Sequence, residues 1–175
     1  AGFIYDNYDK ARALKDIASE LAKAGQLDKA VNAAGSITRD YSKASALRDI
    51  AVELAKTGQF DDALNVAGFI YDNDDKARAL KDIAVELAKA GQFDKALNVA
   101  GSISSNSSKA WALSGIALEL AKAGQTQQAL QIFDKAFDVA GSISDDYFKA
   151  FTLSNIAVEL AKAGQFDKAV TFAGS

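Results

Sequence analysis

Apolar residues return along this chain every three or four positions, the period of one helix face. In the first clear instance Leu14, Ile17, Ala18 and Leu21 fall at i, i+3, i+4 and i+7, which makes them the expected buried face. The pattern stops at Ala24-Gly25-Gln26, where a glycine suits the left-handed position that ends a helix. It resumes with Leu27, Ala30, Val31 and Ala34, and Ile37 extends it. The second helix is therefore expected to run on through Gly35, with the glycine serving close packing; the alternative is that Gly35 ends it. No stretch alternates apolar and polar residues as a strand would. The elements predicted are helix–turn–helix units.

These units repeat. Glu20–Gln26 reads ELAKAGQ, and the same phrase returns at Glu86–Gln92, Glu119–Gln125 and Glu159–Gln165, with ELAKTGQ at Glu53–Gln59. The glycines Gly25, Gly58, Gly91, Gly124 and Gly164 step by 33, 33, 33 and 40 residues. Segments 1–33 and 67–99 agree at 28 of 33 positions, so duplication is the simple explanation. The expected organisation is one domain, 1–175, with units 9–41, 42–74, 75–107, 108–147 and 148–175. Residues 1–8 would be the tail of a preceding repeat. The fourth unit holds seven extra residues, about two helical turns, so its apolar face keeps register. Its second helix should run from Thr126 to Ile143 on Ala129, Ile132, Phe133, Ala136 and Phe137. The junctions Thr38–Ser42, Asn73–Asp75, Ser104–Ser108 and Ser144–Tyr147 are rich in Asp, Asn and Ser, which cap helix N-termini. Helices of about ten residues are not stable alone, so each unit must bury its apolar face on a neighbour.

Composition narrows the chemistry. Hydrophobic residues make up 49% of 175, which argues against disorder. Proline, cysteine, histidine and methionine are absent, as a copied unit would allow. Without histidine or cysteine, the common general base and the usual metal ligands are missing. The net charge of −3 gives no strong pull toward nucleic acid or anionic lipid. No apolar run nears the ~18 residues of a membrane span, and no signal peptide is evident. A soluble, intracellular protein is the default expectation. With no initiator methionine the chain is expected to be a fragment or a processed form. A designed array is the alternative, though drift between units favours natural divergence.

The stretch LAKAGQFDKAL resembles the tetratricopeptide repeat, a helix–turn–helix of about 34 residues. The match lies in Ala18, Gly25, Leu27, Asp28 and Ala30, and again in Ala51, Gly58, Phe60, Asp61 and Ala63. The family's early aromatic is leucine here (Leu14, Leu47, Leu80, Leu113, Leu153), and its closing proline is missing, so this is a variant. The resemblance implies an all-α fold, a right-handed α-α superhelix of five helix–turn–helix repeats. It also implies a concave groove, lined by first helices, that holds a partner segment. A clamp variant of the family uses paired asparagines on the first helix. Those positions are Asp16, Asp49, Asp82 and Gly115 here, with only Asn155 agreeing, so the clamp is not carried over.

By that resemblance the groove stripe holds Arg12, Lys15, Ser19, Ala22 and Lys23 in the first unit and Ser45, Arg48 and Lys56 in the second. It continues as Arg78, Lys81 and Lys89, then Trp111, Ser114, Leu118 and Lys122, and last Phe151, Ser154, Val158 and Lys162. The groove is expected to be basic toward the N-terminus and aromatic toward the C-terminus. That suits an acidic segment with an apolar anchor. The alternative is that the lysines are solvated beside Asp16 and Glu20, while Trp111 and Phe151 pack on each other.

Catalysis is not expected. Glu20, Glu53, Glu86, Glu119 and Glu159 recur in every unit and read as a solvated face. No phosphate-binding glycine loop occurs, and serines without histidine exclude the usual triad. Asn106-Ser107-Ser108 fits a glycosylation acceptor but reads better as a linker. The expected function is a non-enzymatic scaffold that binds a protein or peptide segment, with no cofactor, metal, nucleic acid or membrane. The second reading is a structural array stacking end to end, from Ala1-Gly2-Phe3-Ile4 and Ala173-Gly174-Ser175, which match the same place in two units.

Overall fold

The computed structural model describes residues 7–174. The matches expected for Ala1-Gly2-Phe3-Ile4 and Ser175 lie outside them. Ten α-helices and no strands occur among the described residues, so the chain is all-helical. Long and short helices alternate. The long ones are α1 (Asn7–Lys23), α3 (Asp40–Lys56), α5 (Asn73–Lys89), α7 (Asn106–Lys122) and α9 (Asp146–Lys162), each of 17 residues. The others are α2 (Leu27–Gly35), α4 (Phe60–Gly68), α6 (Phe93–Ser102), α8 (Thr126–Gly141) and α10 (Phe166–Ala173). Two compact units divide within α5: residues 1–79 and residues 80–175.

The long helices all stop by one device. Gly25 has φ +72°, the left-handed region. Its amide donates to the Ala22 carbonyl at 3.0 Å, and the Gln26 amide donates to the Leu21 carbonyl at 2.8 Å. That pair of bonds is the Schellman motif, which uses carbonyls that a helix end leaves orphaned. The glycines at 58, 91, 124 and 164 repeat it. The starts vary more. Asp72 accepts from the Asp75 amide, Ser105 from Ser108 and Asp145 from Phe148, as capping residues do. Helix α3 starts after Arg39 with no side-chain cap.

In the first unit α1 packs on α2 and α3, and α3 on α2 and α4. Its core is Ile50, Leu54, Val66 and a set of fully buried alanines, among them Ala18, Ala30, Ala51 and Ala63. Small side chains let the helix axes come close. In the second unit α7 packs on α6, α8 and α9, and α9 on α8 and α10. Ile83, Leu87, Ile116, Leu120, Ile156 and Leu160 fill it, together with Phe133 from α8. The seven-residue insertion thus becomes a 16-residue helix that delivers one large buried ring.

Three expectations need correction. Ile17 is 51% exposed, whereas Ile50, Ile83, Ile116 and Ile156 are fully buried. Among the described residues no helix precedes α1 to cover that position. Gly35 does not serve packing, since a Cβ built there meets nothing within 4 Å. It is the last residue of α2, and Ile37 is buried through a single further turn, its amide donating to Ala34. Helix α8 likewise ends at Gly141, short of Ile143, whose amide still donates to Ala140.

Two glycine substitutions separate the two backbone roles. Gly91→Ala must hold a Cβ at φ +74° and should destabilise by about 1 kcal/mol. Gly101→Ala sits in right-handed helix facing open space and should stabilise by up to ~1 kcal/mol. Urea denaturation measures both, and equal effects would remove the distinction.

Candidate functional site

Each unit has a cleft formed by its long helices. In the second unit a cleft of about 500 Å³ is lined by residues of α5, α7 and α9. Lys81, Lys89, Trp111, Lys122 and Lys162 line it, so five of the residues singled out in the sequence meet there, with Ser114 and Leu118. Its apolar part is Val85, Trp111 and Leu118. Trp111 sits under the Lys81 ammonium at 5.8 Å from the ring centroid. Its ring also meets Phe151 edge-on at 5.8 Å, so these two aromatics do pack on each other while Trp111 faces the cleft. Phe151 itself is 48% exposed and does not line this cleft.

The cleft is not a basic stripe. Four carboxylates, Asp82, Glu86, Glu119 and Glu159, share its walls with four lysines. Lys89 pairs with Glu86 and Lys122 with Glu119, both at 2.7 Å. Lys162 pairs with Glu159 at 2.8 Å and Lys81 with Asp82 at 2.9 Å. The repeated glutamate lies three residues before the repeated lysine, which puts both on one face. Two polar atoms next to the cleft, Trp111 Nε1 and Ser114 Oγ, are buried without a hydrogen-bonding partner among the described residues. Asn155 points back to its own helix, its Nδ2 donating to the Phe151 carbonyl at 2.7 Å.

Gly115 shapes this site. The first three units carry aspartate at the matching position (Asp16, Asp49, Asp82) and the fifth carries Asn155. A Cβ built on Gly115 would come within 2.7 Å of Val85 Cγ2. A side chain there would both crowd α5 and fill the cleft.

In the first unit a cleft of about 450 Å³ is lined by Arg12 and Lys15, with Tyr8, Asp16, Arg39, Tyr41 and Ser45. Three cations face one carboxylate there, so this cleft is basic. Lys15 is tied down: its Nζ donates to Ser45 Oγ and pairs with Asp49, each at 2.9 Å. Arg48 is tied further, and it lines neither cleft. Its Nη1 donates to Asp75 Oδ1 at 2.6 Å and its Nη2 to Asp49 Oδ1 at 3.1 Å. Burial works against the Arg48 charge, but Asp49 and Asp75 more than offset it and hold its pKa above the ordinary value. Asp75 is 2% exposed, and its second oxygen has no partner among the described residues. Arg48 is thus an internal strut. Lys56 pairs with Glu53 at 3.7 Å, and neither it nor the exposed Arg78 lines either cleft.

Sequence reasoning missed Val85, Gly115 and the cleft carboxylates. The i−3 spacing of each glutamate from its lysine was available as a signal. The break at Gly115 in a run of Asp was another.

No family model matches the chain, and no curated protein matches it. Among solved structures, the crystal structure of Ton1535 from Thermococcus onnurineus NA1 is similar at 26% identity, over 91% of this chain and 50% of that one, with a TM-score of 0.47. This chain therefore spans half the length of that protein.

Two outcomes test these placements. Arg48→Ala leaves the Asp75 carboxylate buried and unpaired, and should cost about 3 kcal/mol. Lys15→Ala breaks a third-exposed pair and should cost less than about 1 kcal/mol in the same denaturation experiment. Gly115→Ala should lower the melting temperature in the native background, through overpacking of ~1–3 kcal/mol. With Val85→Ala present it should raise it instead, by the helix propensity of alanine. A cycle without that change of sign rules out the close approach as the reason for Gly115.

Proposed function

We propose that this chain is a tetratricopeptide-like scaffold, a right-handed superhelix of five helix–turn–helix repeats without enzymatic activity. In this reading it binds a segment of a partner protein in the cleft of α5, α7 and α9. The observation that carries it is the Trp111 ring, which lines the cleft with Val85 and Leu118 among charged side chains. Tryptophan in such a place supplies contact area at little conformational cost and is a favoured anchor in protein interfaces.

The rim favours an amphipathic segment over a strongly acidic one. Its four cations and four anions balance. Surface pairs of this kind hold by only about 0–1 kcal/mol, so both partners can re-pair with incoming polar groups. A preference for acidic residues belongs instead to the first unit's cleft, where Arg12 and Arg39 are exposed.

A second reading, self-association, draws support from Val158, Phe166 and Val170, which stand 49%, 67% and 74% exposed on α9 and α10. Sedimentation velocity over a wide concentration range decides it: a constant monomer retires that reading.

The cleft reading is tested by titrating short peptides that place one Phe or Leu among polar residues. Trp111, the sole tryptophan, should shift its emission to the blue. By calorimetry Trp111→Ala should weaken binding at least about tenfold and Lys122→Ala by less than about fivefold. Unchanged emission with every peptide, or a Trp111→Ala variant that binds normally, would sink the proposal.

A further inference from the structure

The junction between α4 and α5 differs from the other described junctions, and its sequence Gly68–Asn73, GFIYDN, is shared with Gly2–Asn7. At the other described junctions the residues matching Phe69 are Ser36, Ser102 and Ser142, and those matching Tyr71 are Thr38, Ser104 and Ser144. Here two aromatics replace them, and folding does not bury either one. Phe69 is 58% exposed and Tyr71 93%, and Tyr41 at the start of α3 is 75% exposed. These three rings line one cleft of about 380 Å³ within the first unit, together with Asp40, Lys43 and Asp72.

The preceding repeat indicates what such a cleft accepts. Tyr8 occupies in α1 the position that Tyr41 occupies in α3. Over the Tyr8 ring lies the guanidinium of Arg39, 5.7 Å from the centroid. The residue matching Arg39 one repeat later is Asp72. At Tyr41 an anion stands where Arg39 stands over Tyr8, as aspartate also does at Asp6 and Asp145 in the series, and two further rings line the cleft beside it. A cation over aromatic faces gains about 0.5–1 kcal/mol at exposed sites, and a carboxylate adds a charge-assisted bond.

We propose that this cleft binds an arginine side chain presented by a basic segment of a partner protein, seated over Tyr41 as Arg39 is seated over Tyr8. The guanidinium stacks among Tyr41, Phe69 and Tyr71 and pairs with the carboxylates of Asp72 and Asp40. Two carboxylates against Lys43 leave the lining net negative. Lys43 is no obstacle, because Lys10 stands at the matching position in the repeat where an arginine is already in place. The partial positive charge at the start of α3 is about half a unit and is outweighed by Asp40 and Asp72. Asp72 also caps α5 by accepting from the Asp75 amide at 2.8 Å, which fixes its carboxylate beside the rings. This site is separate from the Trp111 cleft and shares no residue with it.

The test is an NMR titration of the intact chain with acetyl-Gly-Arg-Gly-amide, following the ring resonances of Tyr41 and Tyr71. The neutral isostere, with citrulline in place of arginine, is the control. Both tyrosines should shift with the arginine peptide, and the citrulline peptide should bind at least about tenfold more weakly. Asp72→Asn keeps a good capping residue and removes the charge, so it should weaken binding about fivefold with the fold intact. Asp72→Arg places an internal guanidinium where Arg39 sits one repeat earlier, and it should abolish binding. Trp111→Ala should leave the titration unchanged, which separates this site from the cleft proposed above. Static tyrosine resonances, equal binding of the citrulline peptide, or full binding by Asp72→Arg would each overturn the proposal.

Discussion

Everything in this chain depends on reversing direction in three residues, five times over. A 17-residue helix ends with four carbonyls that have no intrahelical partner. The turn at Ala24-Gly25-Gln26 satisfies two of them from the chain's own next amides, but only if one residue adopts φ near +72°. Alanine at that position would strain the turn, and proline nearby would remove a donor. The device uses no long-range contact, so it copies with the sequence. Once the turn is set, the short helix must lie back along the long one, and alanines such as Ala30 and Ala63 let it lie close. Stability then comes from what each pair buries on its neighbours, since the short helix is not long enough to persist alone.

The positions that the turn leaves free have been used differently in the two units. In the first, the long helices are linked by charge, Lys15 to Asp49 and Arg48 to Asp75, with Arg48 also paired to Asp49 on its own helix. Removing Arg48 leaves the buried Asp75 uncompensated, whereas Lys15 and Asp49 are partly solvated, so this ladder specifies which side chains face each other more than it adds net stability. In the second, the matching positions become Ser114 and Ser154 in place of Lys15 and Arg48, Gly115 in place of Asp49, and Trp111 and Phe151 in place of Arg12 and Ser45. Taking out the charged struts removes bulk from the cleft and lets an indole occupy its floor beneath Lys81.

This contrast explains what the sequence could and could not reveal. The turns were legible, because a glycine after ELAKA has one physical use there, and so were the helix faces, because their period is local. The extended α8 was legible from a seven-residue insertion that keeps register. Arg48 was not. Its stripe position looked like a groove lysine's, and only the fold brings Asp75, 27 residues away, into contact with it. The balance of charge around Trp111 was not legible either: the sequence placed lysines and an indole on one line, and the fold sets the acids three residues earlier on the same wall. Gly35 was misread because a glycine inside a helical pattern suggests close packing, yet this one faces open space.

A repeat protein also separates the demands of folding from those of recognition more cleanly than most chains do. Whatever recurs in every unit is explained by the unit: the turn glycine, the buried alanines, the glutamate–lysine pair on the long helix. A binding preference has to reside where the copies disagree, and only in those disagreements that packing does not account for. Phe133 departs from the pattern but is fully buried, so packing explains it. Trp111 with Gly115 remodels a cleft, and Phe69 with Tyr71 puts two rings into solvent at a place where serine and threonine suffice at the other described junctions. Exposing aromatic surface brings the folded state no burial energy. These positions carry contact chemistry, and Asp72 makes the case strongest at the α4–α5 junction, because a carboxylate lines the same cleft as three exposed rings, where Arg39 lies over the Tyr8 ring one repeat earlier.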